Sequence, residues 1–156
     1  DKELLGFNSQ YKVKPPLRTQ NDVEALIAGV NDDTIDAIVS QHTPHEVEFK
    51  DVEFEIAEYG MIALQTAFPV LLKAGLSPDI IVQKMAVKPR QLLGLQAATI
   101  TEGANADLTV LDTVTEWVFT KQNNQSKSYN SPFIGQNLKG GTLLTINNNQ
   151  LFKSHL

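Results

Sequence analysis

The segment Gln41-His42-Thr43-Pro44-His45 concentrates the side chains of this chain that are best suited to chemistry. Imidazoles bind metal ions or anions and transfer protons near neutral pH. A catalytic zinc site needs about three protein ligands and an open position for water, but the chain has 3 histidines in all, including His155, and no cysteine. Because Pro44 separates His42 from His45, no helical face brings the two rings together. The segment therefore predicts part of a binding site, and we assign no metal ligand within the chain.

A helix and a buried strand are predicted to position this segment. From Asn21, which we predict to be the N-cap, apolar residues recur at helical spacing. Residues 34–40 form an apolar run that predicts a strand, so residues 41–45 would leave its end as a loop. A helix followed by a strand is half of a βαβ unit.

The remaining pattern divides the chain into an α/β part, residues 1–96, and a β-rich part, residues 97–156. In the first part, residues 11–13 predict a short strand that two prolines end, residues 60–73 predict a long helix, and Ser77 with Pro78 begins a further helix. In the second part, strands are predicted at residues 107–112, 116–119, 142–146 and 151–153. Residues 147–149 predict a hairpin turn, and the polar residues 122–130 predict a solvated loop.

Composition excludes several classes of function. The 156 residues carry 18 acidic and 13 basic side chains, a net charge of -5, so binding to nucleic acid is not expected. The absence of cysteine fits a reducing compartment, and we expect the cytoplasm. No apolar run approaches the roughly 20 residues of a membrane span. The chain opens inside a strand-like pattern without Met, which predicts a portion of a longer polypeptide.

Several motifs resemble dihydroorotases, zinc-dependent hydrolases of the amidohydrolase superfamily, in the same order and at compatible spacing. Residues 41–45 resemble the family's Asp-His-Ala-Pro-His, and residues 12–18 resemble its Lys-Met-Asn-Pro-Pro-Leu-Arg. Further similar segments are residues 59–60, 87–95, 102–112 and 131–135. The resemblance implies the last strands and helices of a (β/α)8 TIM-type barrel, followed by part of a β-sandwich accessory domain. By the same resemblance, the zinc ligands would lie mostly upstream of Asp1.

The resemblance also implies roles for individual residues. Gln41 stands where the family has an Asp that binds metal and transfers the proton, which an amide cannot do. Lys14 replaces an Asn that contacts the substrate ring. His45 occupies the position of the histidine that binds the substrate carboxylate, and Tyr59 with Gly60 stands where the family has a Phe-Gly pair whose backbone contacts the substrate.

Three functions are compatible with this set. The first is a dihydroorotase-like protein of pyrimidine biosynthesis, which interconverts carbamoyl aspartate and dihydroorotate. The second, favoured by Gln41 and Lys14, is a non-catalytic homologue that serves as a structural or regulatory partner of aspartate carbamoyltransferase. The third is a related cyclic-amide hydrolase of the allantoinase or dihydropyrimidinase type. We leave open whether the whole protein is an enzyme, predict that this chain alone is inactive, and expect it to associate with the rest of its polypeptide and to form a homo-oligomer.

Overall fold

The computed structural model describes residues 1–97 and 99–154, so His155 lies outside the described residues. Two short 3₁₀ helices, Lys2–Gly6 and Ser9–Tyr11, open the chain. The helices that follow are α1 (Gln20–Asn31), α2 (Val47–Lys50), α3 (Ala67–Lys73), α4 (Pro78–Val82), a π-helical turn (Gln83–Val87) and α5 (Lys88–Leu92). The strands are β1 (Leu108–Val118), β2 (Asn137–Asn147) and β3 (Gln150–Lys153).

Local capping determines where two helices begin. Helix α1 is capped by Thr19, not by Asn21 as predicted, because Thr19 and Asp22 form a reciprocal capping box. At α4 the prediction is confirmed, since the Ser77 hydroxyl accepts a hydrogen bond from the backbone N–H of Ile80 and Pro78 occupies the first turn.

The predicted strands of the first part are not formed as ladders. Residues 34–40 form no strand: the Ile38 N–H donates to the Lys84 carbonyl at 2.9 Å, and the strand-like pairing nearby is a parallel bridge between His42 and Met61. The strand predicted at residues 11–13 is not formed: Tyr11 ends the 3₁₀ helix Ser9–Tyr11, and residues 12–13 belong to no helix or strand. A strand needs a neighbour for its N–H and C=O groups, and within the described residues no neighbouring strand is available here.

The long helix predicted for residues 60–73 is confined to α3. Residues before it bond elsewhere: the Ile62 N–H donates to the Asn130 carbonyl at 3.0 Å, and the Ala63 N–H donates to the His42 ring at 3.0 Å. These tertiary bonds hold residues 62 and 63 outside a helix.

The second part forms a three-stranded antiparallel sheet in the order β1-β2-β3. All four predicted strand segments lie in or overlap its strands. Asn148 and Asn149 adopt positive φ values of 48° and 59° between β2 and β3, which confirms the predicted hairpin turn.

Two apolar clusters join the two parts of the chain. Val30, Phe68, Leu76 and Ile81 form the first, against which Leu111 of β1 packs. The second combines Ile62 with Trp117, Phe119 and Leu138. Because both clusters include residues from either side of position 97, the proposed boundary between residues 1–96 and 97–156 remains a prediction.

An ion pair adds a polar link between α5 and the sheet. Arg90 Nη2 and Asp107 Oδ2 lie 3.1 Å apart, and Asn147 Nδ2 donates to the other Asp107 oxygen at 3.0 Å. In the described part of the chain, no helix has the length and apolar character needed to cross a bilayer.

Candidate functional site

Four of the five predicted site residues line one open cleft of about 420 Å³. These are Lys14, Gln41, Tyr59 and Gly60, and the rest of the lining is Val13, Pro15, Val39, Ser40, Thr43, Met61 and Ala63. Lys14 is the one charged residue among these lining residues, and none of them is a carboxylate or a histidine. The cleft therefore suits an anion with amide groups and lacks a strong base in its lining.

Gln41 directly follows residues 34–40, and its backbone conformation is fixed. It adopts a left-handed conformation with φ of 46°, and its carbonyl accepts a hydrogen bond from the Thr43 hydroxyl at 3.0 Å. The side chain is exposed, so its amide is available to a ligand.

Residues 34–40 are held in place by Lys84, which lies in the π-helical turn and is 1% exposed. Its ammonium donates to Asp33 Oδ1 at 2.7 Å and to the Ile35 carbonyl, while its own carbonyl accepts the Ile38 N–H. The Lys84 hydrogen bond and charge lower the pKa of Asp33. One buried lysine thus holds the residues that lead to Gln41.

A second wall of the cleft, which adjoins the first, is built by Tyr59 and Gly60. Gly60 has φ of +128° and packs directly against Thr43, whose Cβ lies 2.6 Å from where a Cβ on Gly60 would stand. The Gly60 N–H donates to the Lys12 carbonyl at 2.9 Å. A residue with a side chain does not fit at this position.

His45 lies behind this wall and does not line the cleft. Its Nε2 is 2.9 Å from the Tyr59 carbonyl and must donate, since a carbonyl only accepts. His45 therefore contacts the Tyr59 backbone, whereas Lys14 and Gln41 line the cleft.

His42 bonds within the protein. Its Nδ1 is 3.0 Å from the Ala63 nitrogen and 3.2 Å from the Leu64 nitrogen, both of which donate. Nδ1 must therefore be unprotonated and already occupied, which leaves the proton of the neutral ring on Nε2. His42 organises the turn before α3.

Two buried lysines beneath Tyr59 were missed by sequence reasoning. Lys50 is 1% exposed and donates to the Lys12 and Glu58 carbonyls at 2.9 and 2.8 Å. Lys12 donates to the Glu55 carbonyl at 2.8 Å, and its ammonium lies 4.7 Å from the centre of the Tyr59 ring. Lys50 occurs among acidic residues in the sequence, a pattern that suggests an ion pair at the surface, and Lys12 lies between Tyr11 and Val13 with no acidic neighbour. Both ammonium groups bond to carbonyls instead.

Burial should make stability depend on the protonation of Lys50. Desolvation, aided by the Lys12 charge and opposed by Glu58, lowers the pKa of Lys50 to about 8. Because the folded state prefers the neutral amine, stability is lower when Lys50 is protonated and rises as the pH passes above 8. We expect a gain of about 2 kcal/mol between pH 7 and 9.5 from this group.

Urea unfolding of the unaltered protein and of Lys50→Met at both pH values measures this contribution. The gain should be absent in Lys50→Met and retained in a control, Lys73→Met, because Lys73 is exposed. Equal pH dependence in all three proteins would show that Lys50 does not titrate with folding.

The histidine and carboxylate side chains of the described residues do not form a metal centre by themselves. Among the described residues, no group of three or more histidine and carboxylate side chains is placed to hold a metal ion. Gln41 could offer one amide oxygen, and His42 Nδ1 is already occupied. The zinc implied by the resemblance therefore does not fit ligands supplied by this segment alone.

Comparison with known proteins finds relatives of this chain among the dihydroorotases. It is 48% identical over 145 residues to a dihydroorotase from Elusimicrobium minutum, covering 90% of this chain and 34% of the relative. The chain is a homologue of the dihydroorotases. A second dihydroorotase, from Geotalea daltonii, is 43% identical over 150 residues, with 94% of this chain and 35% of the relative covered. No protein-family model matches the chain.

Solved structures of other proteins share the fold of this chain. The L-hydantoinase (dihydropyrimidinase) from Arthrobacter aurescens superposes with a TM-score of 0.83 at 27% identity, covering 98% of this chain and 36% of that one. An inactive dihydroorotase-like domain of the Chaetomium thermophilum CAD-like multifunctional protein gives a TM-score of 0.59 at 18% identity, with 93% and 41% covered. The chain spans about a third of the length of the dihydroorotases it matches, consistent with a C-terminal portion. Its fold is the mixed α/β fold of these neighbours, and the sheet formed by its described residues has three strands.

Proposed function

We propose that this chain is the C-terminal portion of a dihydroorotase-type protein of pyrimidine biosynthesis whose cleft binds carbamoyl aspartate or dihydroorotate but lacks the proton acceptor at Gln41. The observation that carries the proposal is the lining of the cleft, which combines the cation of Lys14 with the neutral amide of Gln41. Both ligands are anions that contain amide groups, so they match this lining. In the reaction, a bond forms between the carbamoyl nitrogen and the side-chain carboxyl carbon, and water leaves.

The residues have separate proposed roles. Lys14 pairs with a carboxylate of the ligand. Tyr59 and Gly60 supply the backbone wall, and His45 belongs to the ligand-binding set through its contact with the Tyr59 carbonyl. Gln41 can hydrogen-bond a ligand amide but cannot accept and return a proton, and a positioned general base contributes about 10² to 10⁴-fold in rate.

The proposed partners follow from exposed apolar residues. Val39 at the cleft is 83% exposed and Ile100 is 88% exposed, which favours their being covered by the rest of the polypeptide or by another subunit of a homo-oligomer. The cytoplasm remains the proposed location.

A second candidate function is favoured by the two substitutions in the cleft. With Gln41 and Lys14 in place of an acid and an amide, the protein could persist as a structural or regulatory partner of aspartate carbamoyltransferase. The third candidate, a cyclic-amide hydrolase of the allantoinase or dihydropyrimidinase type, is favoured less, because the relatives at 43% and 48% identity are dihydroorotases and the hydantoinase is 27% identical.

Binding and turnover of the full-length protein test the proposal. We expect calorimetry to detect binding of carbamoyl aspartate, and turnover at least about 10²-fold below that of the Elusimicrobium minutum relative assayed in parallel. Residues 1–156 alone should show no turnover. Turnover equal to that of the relative would refute the loss of the proton acceptor, and absence of binding would refute the ligand. Binding of allantoin or dihydrouracil instead would favour the third candidate, and co-purification with aspartate carbamoyltransferase the second.

A further inference from the structure

Asn130 lies at the end of the polar loop that the sequence predicts to be solvated, yet it is 4% exposed. Its side chain reaches residues 70 to 87 positions away in the sequence. Its backbone carbonyl accepts the Ile62 N–H at 3.0 Å. Asn130 therefore connects the β-rich part of the chain to residues of the cleft.

The Asn130 side chain bonds to both walls of the cleft. Its Oδ1 accepts the His45 N–H at 3.1 Å, and its Nδ2 donates to the Thr43 carbonyl at 2.9 Å. Nδ2 also donates to the Gly60 carbonyl, with a longer separation of 3.4 Å. The partners fix the orientation of the amide, because an N–H only donates and the two carbonyls only accept.

We propose that Asn130 is a positioning residue that holds residues 41–45 against residues 59–62 and so sets the width of the cleft. The two walls meet elsewhere, through the Thr43 N–H to the Met61 carbonyl at 2.8 Å and through His45 to Tyr59. Among the hydrogen bonds made to these two segments from outside them, those of the Asn130 side chain reach both walls at once. Its two kinds of partner require a donor and an acceptor on one short side chain, and no apolar or ionised residue of this size supplies both.

The same loop offers a matched control. Asn123 also makes several side-chain hydrogen bonds, to the Thr120 N–H at 2.8 Å, the Thr120 hydroxyl at 3.1 Å and the Val118 carbonyl at 2.9 Å. All of these partners lie within five residues of Asn123 and none belongs to the cleft. Loss of Asn123 therefore removes a comparable set of bonds without touching either wall.

Hydrogen exchange of the full-length protein tests the positioning role without requiring a known ligand. In Asn130→Ala, amides of residues 41–45 and 59–62 should exchange about tenfold faster, because the unpaired partners favour the open state. Exchange in α1 and in the β2–β3 hairpin should stay unchanged. Asn130→Asp retains the acceptor for His45 but lacks both donors, so it should not restore slow exchange.

Three results would overturn the inference: unchanged exchange in both wall segments, the same increase in Asn123→Ala, or a uniform increase over the whole chain. If Asn130→Ala does not fold, Asn130→Ser is measured in its place under the same criteria.

The consequence for ligand binding rests on the proposed function. Asn130→Ala should weaken carbamoyl aspartate binding by about tenfold, and Asn123→Ala should not. If the unaltered protein binds no carbamoyl aspartate, the proposed function is refuted. The role of Asn130 is then still decided by amide hydrogen exchange in the two walls. If binding occurs and is unaffected by Asn130→Ala, the positioning role is refuted.

Discussion

Replacing Gln41 with aspartate in the full-length protein is expected to raise turnover of carbamoyl aspartate by about 10² to 10⁴-fold, the contribution of a positioned general base. The physical reason is the difference between an amide and a carboxylate at the same place. Both can accept a hydrogen bond, but only the carboxylate takes up and returns a proton near neutral pH. Gln41 lines the cleft with an exposed side chain, so the change should not disturb packing. Turnover at saturating carbamoyl aspartate is the measurement.

Gln41→Asn is the matched control, because asparagine has the size of aspartate without its charge or basicity. Turnover that rises equally in both variants would attribute the gain to size and would count against a missing base. Adding Lys14→Asn to Gln41→Asp should raise turnover further at saturating carbamoyl aspartate, while weakening its binding because Lys14 is proposed to pair with its carboxylate. An ammonium in the same cleft favours the ionised carboxylate and weakens it as a base.

The fold could be predicted where local chemistry decides the structure. The Ser77-Pro78 helix start and the Asn148-Asn149 turn depend on a few neighbouring residues, and both are confirmed. The helix predicted for residues 60–73 was wrong over its first half, where Ile62 and Ala63 make tertiary hydrogen bonds to Asn130 and His42. The bonded residues are 68 positions apart in the first case and 21 in the second. Hydrogen bonds over such separations leave no periodic pattern in the sequence.

The candidate site divides in the same way. The motif resemblance selected Lys14, Gln41, Tyr59 and Gly60, and the structure brings these four together at one cleft. Their roles remain predictions. Sequence reasoning missed the supports behind the cleft, since Lys50 and Asn130 belong to charged and polar stretches that are typical of solvated loops. Their burial follows from carbonyl and amide partners on other segments, which composition does not reveal.

Gly60→Ala is expected to be the most destabilising single substitution at the cleft. Two penalties combine at this position. The φ of +128° disfavours any residue with a Cβ, and the new methyl group would stand 2.6 and 2.8 Å from Thr43 Cβ and Cγ2. Strain of about 1–3 kcal/mol from the backbone and a similar cost from overpacking give an expected loss of about 2–6 kcal/mol in the free energy of unfolding. Urea denaturation of the full-length protein measures this loss.

Gly75→Ala separates the two penalties, because Gly75 also has a positive φ, +91°, but no atom of a non-adjacent residue lies within 4 Å of where its Cβ would stand. It should lose about 1–3 kcal/mol, from the backbone alone. The difference between the two variants is then the cost of pushing the cleft walls apart, and adding Thr43→Gly to Gly60→Ala should recover that difference by removing the opposing Cβ. Equal losses at Gly60 and Gly75 would mean that Thr43 moves aside freely. In that case the two walls are not held in direct contact, and the width of the cleft depends on hydrogen bonds alone.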